Sequence, residues 1–161
     1  MKELWHLSAL GILLLIPSGE ASTDCPEGFV SFFADPSIPM ETCLLFAMDR
    51  KREWHEAHTY CNSLRSELAN LDDGELHWQV IDYIHRNPDM LDEAFHIGCT
   101  DEVTEGKWLW VNGSPVRMGP PHWFYNQPDG GTRENYCCLY YDDFLYSSCV
   151  NRQTMYTICQ I

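Results

Sequence analysis

Residues 96–110 read His-Ile-Gly-Cys-Thr-Asp-Glu-Val-Thr-Glu-Gly-Lys-Trp-Leu-Trp, and both ends of this stretch are apolar. The ends predict strands over Phe95–Thr100 and over 108–111, because short apolar runs with β-branched and aromatic residues favour extended structure. Downstream, a loop rich in proline and glycine covers about 112–132. Two more strands are predicted after it, over 136–141 and Met155–Gln160.

Upstream of this stretch the hydrophobic period changes from strand to helix. Strands are predicted over 29–33 and 42–48. A first amphipathic helix then carries apolar residues at spacings of three and four, namely Trp54, Ala57, Cys61 and Leu64. In a second helix, Asp72 or Asp73 is the N-cap, Asn87-Pro88 ends it, and the apolar face is Leu76, Val80, Tyr83 and Ile84. Early helices followed by late strands predict an α+β fold.

The N-terminus has the layout of a secretory signal. Lys2 precedes the apolar run 7–16, which Pro17 and Ser18 end before the small residues at 19, 21 and 22. At about ten residues the run is too short for a bilayer, which needs roughly 20. We predict a cleaved signal peptide over 1–21, with cleavage after Ala21 or Ser22, and one secreted, extracellular domain over 22–161. A buried N-terminal helix is the alternative.

Charge and cysteine content narrow the class of protein. The formal net charge is −14, which disfavours nucleic acid and anionic membranes because their phosphates would be repelled. No second apolar run approaches membrane length, so membrane insertion is not predicted. Eight cysteines follow the predicted signal, and an even number in that context predicts disulfides. Zinc is the alternative, but no Cys-x-x-Cys pair is present.

Catalytic motifs do not appear, and we predict that the protein is not an enzyme. His55-Glu56-Ala57-His58 resembles a zinc-protease motif, but that motif needs histidines four apart, and these are three apart. Exposed polar residues on the first helix are the preferred interpretation; a metal site or a secreted hydrolase built on these histidines are the alternatives. Asn112-Gly113-Ser114 is either an N-glycosylation sequon or a plain turn.

The long loop carries the candidate binding residues. In Gln127-Pro128-Asp129, the proline can hold the amide and the carboxylate on one side, especially if its peptide bond is cis. Together with Glu134, these oxygens suit a hard cation such as calcium, and Asn135 is a further candidate for sugar or calcium binding. A Pro-Asp-Gly turn explains residues 128–130 equally well.

Taken together, these residues resemble the C-type lectin-like domain over nearly all of 22–161. The matching segments are Cys25-Pro26-Glu27-Gly28-Phe29, Cys43-Leu44-Leu45-Phe46, Trp54-His55-Glu56-Ala57, Leu68-Ala69-Asn70-Leu71, His96-Ile97-Gly98-Cys99-Thr100-Asp101 and Glu105-Gly106-Lys107-Trp108-Leu109-Trp110. Gln127-Pro128-Asp129 is similar to the family's sugar-specificity triplet. The nearest similarity is to arthropod secreted lectins with this triplet.

The resemblance implies a disulfide-bonded α+β double-loop fold with two helices and short antiparallel sheets. It also implies the pairs Cys25–Cys43, Cys61–Cys159 and Cys138–Cys149. Cys137 precedes the family cysteine and would point to the opposite face of its strand. We therefore hypothesise a fourth bridge, Cys99–Cys137, joining two neighbouring strands. Pairing of Cys137 with Cys149 is the alternative.

One part of the family's calcium site is missing. In sugar-binding members the ion is held by the triplet, a following Glu, and an Asn-Asp pair before the penultimate cysteine. Gln127, Asp129 and Glu134 match the first three positions, but the pair is replaced by Leu145 and Tyr146. Calcium takes six to eight oxygens, so we predict weakened or absent binding. The nearby acids at 142 and 143 either substitute or form a turn.

The resemblance implies a secreted, glycan-binding pattern-recognition lectin in innate defence, directed at glycans such as those of microbial surfaces. In the family a Gln-Pro-Asp triplet goes with galactose-type ligands. Trp123, Phe124 and Tyr125 either stack on a sugar face or pack at the base of the loop. The alternative function is a calcium-independent module for a protein ligand, which the missing Asn-Asp pair favours.

Overall fold

A computed structural model describes residues 25–161 apart from 36–37 and 141–142. The predicted signal peptide and Asp142 therefore lie outside the described residues. Within the described chain, no helix is long and apolar enough to cross a membrane.

Two α-helices precede most of the sheet, as the hydrophobic pattern predicts. Helix α1 spans Trp54–Ser63 and buries Trp54, Ala57 and Cys61. Leu64, predicted to continue that stripe, is instead the C-cap and is 39% exposed. Helix α2 spans Gly74–His85, and its N-cap is Asp73, whose carboxylate accepts hydrogen bonds from two backbone N–H groups of the first turn. Such a cap stabilises a helix by about 1 kcal/mol.

Eight strands of the described chain form one mixed sheet, in the order β1-β2-β8-β4-β6-β7. Strand β3 also pairs with β8, and β5 pairs with β4. Most pairings are antiparallel, but β4 and β8 run parallel. The strands are β1 Val30–Asp35, β2 Ile38–Arg52, β3 Glu67–Leu68, β4 Phe95–Thr100, β5 Leu109–Trp110, β6 Tyr136–Tyr140, β7 Leu145–Cys149 and β8 Met155–Gln160.

The stretch at 96–110 is the β4–β5 hairpin, and its strand β4 lies within the sheet between β8 and β6. The indole N–H of Trp54 donates to the carbonyl of Ile97 at 2.9 Å, which joins α1 to β4. Gly98 passes so close to Leu68 that a Cβ there would lie 2.6 Å from the Leu68 carbonyl oxygen. Only glycine fits that position, because real Cβ atoms do not approach backbone so closely.

Four disulfides cross-link these elements, in the pairs Cys25–Cys43, Cys61–Cys159, Cys99–Cys137 and Cys138–Cys149. The adjacent residues Cys137 and Cys138 point to opposite faces of β6. Cys137 packs with Cys99 in the main core, whereas Cys138 packs with Cys149 in a separate small cluster. The structure thus has Cys138, not Cys137, bonded to Cys149. The α+β class and the two-helix, disulfide-bonded architecture are confirmed.

Candidate functional site

The residues of the Gln-Pro-Asp triplet converge with Glu134 on one hydroxyl group, that of Ser148 in β7. The side-chain amide of Gln127 donates to Asp129 Oδ1 at 2.8 Å, so both side chains lie on one side of Pro128, whose peptide bond is cis. Gln127 Oε1 accepts from the Ser148 N–H at 2.8 Å and lies 2.9 Å from Ser148 Oγ. Glu134 Oε2 lies 2.8 Å from the same hydroxyl.

These residues line a polar cleft of about 340 Å³. Asp129 is exposed at its mouth, whereas Ser148 is buried at 7% exposure. Further polar lining comes from Tyr140 and Gln153. A cleft of this size, with few apolar groups and several convergent hydrogen-bonding groups, suits a small polar ligand.

Two other predicted site residues, Asn135 and Asn112, do not line the polar cleft. Asn135 is not a lining residue of this cleft, and its backbone is bonded to Asn151 Oδ1 and to the N–H of Asp101. Asn112 is exposed in the turn after β5, where its Oδ1 accepts from both the N–H and the hydroxyl of Ser114.

The long loop that carries the triplet is fixed to β7 by backbone and aromatic contacts. Phe124 donates to the carbonyl of Tyr146 at 2.9 Å, and Tyr146 donates to that of His122 at 2.8 Å. Trp123 is 3% exposed and packs against Trp108 and Tyr146, so it belongs to the core rather than to a sugar-stacking surface. Tyr125, two residues before the triplet, is 81% exposed.

The side chain of Tyr146 points into the core and cannot contribute to the cleft. Its ring packs against two histidine rings, with centroids 4.5 Å from His77 and 5.5 Å from His122, and its hydroxyl donates to the carbonyl of Leu71. Burial raises the pKa of this phenol well above its usual range.

His77 of α2 and His122 of the long loop form a buried pair. Their Nδ1 atoms lie 3.1 Å apart, and His77 Nε2 lies 3.1 Å from the Phe144 carbonyl. Desolvation lowers the pKa of His77 to about 4, against the Phe144 hydrogen bond, which raises it. Desolvation also lowers the pKa of His122, partly offset by the carboxylate of Asp72. Both imidazoles are therefore neutral at pH 7. One Nδ1–H donates a hydrogen bond to the Nδ1 atom of the other ring.

Calcium takes six to eight oxygens. The described residues that line the cleft include two carboxylates, of Asp129 and Glu134, and two side-chain amides, of Gln127 and Gln153. The Ser148 hydroxyl lies within bonding distance of both Gln127 and Glu134. No group of three or more His, Cys, Asp or Glu side chains able to hold a metal occurs in the described parts of the chain. Asp143 lies in the turn before β7, and the part of the strand from Leu145 to Ser148 alone spans about 10 Å. Among the described residues, the cleft brings together two acidic side chains and no third.

The paired histidines of α1 do not share a common partner. His55 Nε2 contacts Tyr136 Oη and Glu102 Oε1, at 2.9 and 3.2 Å, whereas His58 Nε2 contacts Asn62. This arrangement gives no support to a metal site or a hydrolase built on these residues.

Fold, disulfides and cleft together define an α+β recognition module of the C-type lectin class. The family model for the Lectin C-type domain matches residues 50–161. The chain therefore belongs to the C-type lectin domain family, which confirms the resemblance. Membership in this family of carbohydrate-binding domains also supports the prediction of a non-enzymatic protein.

Known proteins show the same relationship. C-type lectin mosGCTL-7 of Aedes aegypti is 28% identical over 109 residues, which cover 66% of this chain and 68% of the relative. The mouse scavenger receptor C-type lectin carbohydrate-recognition domain has a TM-score of 0.70 and 24% identity, covering 85% of this chain and 95% of that one. SPL-1, solved as a complex with GlcNAc, has a TM-score of 0.66 and 21% identity, covering 86% and 95%.

Proposed function

We propose that this protein is a secreted lectin of innate defence that binds galactose-type glycans, including those of microbial surfaces, with weakened or absent calcium dependence. The observation that carries the proposal is the convergence of Gln127, Asp129 and Glu134 at Ser148, in one polar cleft of a C-type lectin domain. The signal-like residues 1–21 and the disulfides, which persist in oxidising compartments, support the proposed secretion.

Hydrogen-bonding capacity in the cleft matches the hydroxyls of a sugar. The Ser148 hydroxyl has one proton, and it lies within bonding distance of both Gln127 Oε1 and Glu134 Oε2. It donates to only one of them at a time, and Gln127 Oε1 also accepts from the Ser148 N–H. When the hydroxyl donates to Gln127, Glu134 Oε2 is the oxygen available to a ligand hydroxyl. Asp129 is exposed and accepts the Gln127 amide through only one carboxylate oxygen. A sugar hydroxyl can thus donate directly to protein oxygens without a bridging cation.

Tyr125 supplies an exposed aromatic surface on the loop that carries the triplet. Its ring is largely exposed and lies two residues from Gln127. The C–H face of galactose is continuous on one side of the ring, and aromatic side chains pack well against such faces. The triplet and the exposed ring together favour galactose-type ligands.

Glycan-array binding tests the proposal. We expect galactose-terminated glycans to be retained in the presence of a chelator. Asp129→Ala should reduce binding at least tenfold, because it removes an exposed acceptor and an interaction of this kind is worth about 1.5–3 kcal/mol. Asp89→Ala, which removes an exposed carboxylate from the 3₁₀ turn Pro88–Met90, is the matched control. The array should also carry GlcNAc, the sugar in the SPL-1 complex, for comparison with galactose. If the protein binds no glycan on the array, either with or without chelator, the proposal is refuted.

Calcium titration by calorimetry separates this function from the second candidate. That candidate is a calcium-independent module for a protein ligand, and the inward-facing Tyr146 favours it because a family oxygen-donor position is lost to the core. We expect no calcium binding tighter than about 1 mM, the weak end for extracellular sites. Micromolar affinity would contradict both versions of calcium independence, whereas glycan binding without calcium would count against the protein-binding candidate.

A further inference from the structure

A second cleft, separate from the first, opens between the start of α1 and the β4–β5 hairpin. Its volume is about 360 Å³, and it shares no lining residue with the polar cleft. The walls are mainly apolar and include Val103, Leu109 and Val111. Trp54 and Trp110 also line it but are almost fully buried, so they lie at its base. A concave apolar site of this size accommodates a compact organic molecule.

One edge of this second cleft carries a closed hydrogen-bond triangle. The Tyr136 hydroxyl donates to Glu102 Oε1 at 2.9 Å and lies 2.9 Å from His55 Nε2, which is itself 3.2 Å from the same carboxylate oxygen. The Tyr136 ring stacks on Trp54 with centroids 4.8 Å apart, so the triangle is attached to a rigid base. Glu102 and its neighbours are therefore held in place before any ligand arrives.

The triangle leaves one strong acceptor facing outward. Both contacts to Glu102 use Oε1, and among the described residues Oε2 has no bonding partner. The side chain of Glu102 is 43% exposed. An acceptor of negative charge beside an apolar wall is complementary to a positively charged donor attached to an apolar body.

The net charge of the chain favours a cationic ligand, whereas the cleft lining itself has one acid, Glu102, and one lysine. Lys107 is the one lysine or arginine among the lining residues, and it is exposed on a flexible stem that can carry its ammonium into solvent. The whole chain has a net charge of −14, which raises the local concentration of cations and repels anions. An anionic ligand would be repelled both by the Glu102 carboxylate and by the net negative charge of the chain.

We infer that the cleft between α1 and the β4–β5 hairpin binds a small organic amine, with its apolar body against Leu109 and Val103 and its ammonium on Glu102. This site is independent of the glycan site. The contact is between an ammonium and a fixed carboxylate at the rim of an apolar cavity, so affinity depends on both parts of the ligand.

Three probes that share one ring system separate the contribution of the ammonium from that of the apolar body. Tryptamine carries the ring and an ammonium, indole carries the ring alone, and indole-3-acetate carries the ring and a carboxylate. We expect tryptamine to bind at least tenfold more tightly than indole, and indole-3-acetate to bind more weakly than either. Binding would be followed by calorimetry and by NMR shifts, which should include the Trp54 indole N–H signal.

Glu102→Gln keeps an acceptor for Tyr136 while removing the charge, so the fold should be retained. It should reduce the preference for tryptamine over indole at least fivefold. Glu105→Gln is the matched control, since it neutralises an exposed acid of the same hairpin that does not line the cleft. The inference fails if both variants lose the preference equally, if indole-3-acetate binds as well as tryptamine, or if the shifts map to Gln127 instead. None of these outcomes depends on glycan binding.

Discussion

Replacing Cys61 and Cys159 together by alanine is expected to lower the free energy of unfolding by about 4–5 kcal/mol, the largest effect of any single cross-link. This disulfide joins residues 98 apart, so its loss releases the longest covalent loop in the unfolded chain. Both cysteines are fully buried and tie the end of α1 to β8. The melting temperature should fall by roughly 15 °C, measured by calorimetry or circular dichroism.

The matched control is the double alanine variant at Cys25 and Cys43, whose residues are only 18 apart. The loop-entropy relation gives this shorter bridge about 3 kcal/mol, so the two variants should differ by more than 1 kcal/mol. The Cys99–Cys137 bridge spans 38 residues and should lie between them. Equal losses in the first two variants would contradict loop length as the determinant of the stabilisation.

Some elements of this fold follow from sequence alone, and others depend on long-range pairing. The bounds of β4 and β8 match their predicted ranges because each is a compact run of residues suited to a strand. Strand β7 was not predicted, since Ser147 and Ser148 are both buried there and hide the apolar pattern. Two-residue strand β3 has no periodicity that a sequence could show.

The candidate site was predictable only in part, because it too depends on contacts between residues far apart in the sequence. The triplet could be recognised, but the role of Ser148 depends on how the long loop pairs with β7, through the bridge between Trp123 and Tyr146. The His77–His122 pair joins residues 45 apart on different elements. No local pattern marks either histidine as buried. Hydrophobic periodicity is defined by apolar residues, so it does not show whether a histidine in a helix or in a loop is buried.

Acidification from pH 7 to pH 4 is expected to lower the free energy of unfolding by several kcal/mol, and buried histidines are the cause. Desolvation lowers the pKa of His77 and of His96 to about 4, from an ordinary value of 6.5. Between these values the unfolded chain binds a proton at each site and the folded chain does not. Each histidine thus contributes stability that is complete above pH 6.5 and lost as the pH falls to about 4, about 3 kcal/mol per site.

The same change should loosen the long loop that carries the Gln-Pro-Asp triplet, because His122 belongs to it. Protonating His77 and His122 together places two positive charges on atoms 3.1 Å apart. Arg117 adds to the penalty for charging His122, whereas Asp72 and Asp73 oppose it. Both carboxylates lie at the start of α2 and cannot compensate two buried cations. Glycan affinity should therefore weaken as the pH approaches 4, where the folded chain begins to protonate His77.

Urea unfolding at pH 7, 6, 5 and 4 measures the effect. His77→Gln keeps a donor for the Phe144 carbonyl but does not titrate, so the dependence of unfolding free energy on pH should become shallower by about one proton. His85→Gln removes an exposed imidazole from the same helix and is the matched control. If both variants flatten the dependence equally, or if the wild-type free energy stays constant from pH 7 to 4, the buried pair does not keep its imidazoles neutral. A selective effect of His77→Gln would assign the acid sensitivity of the loop to this pair.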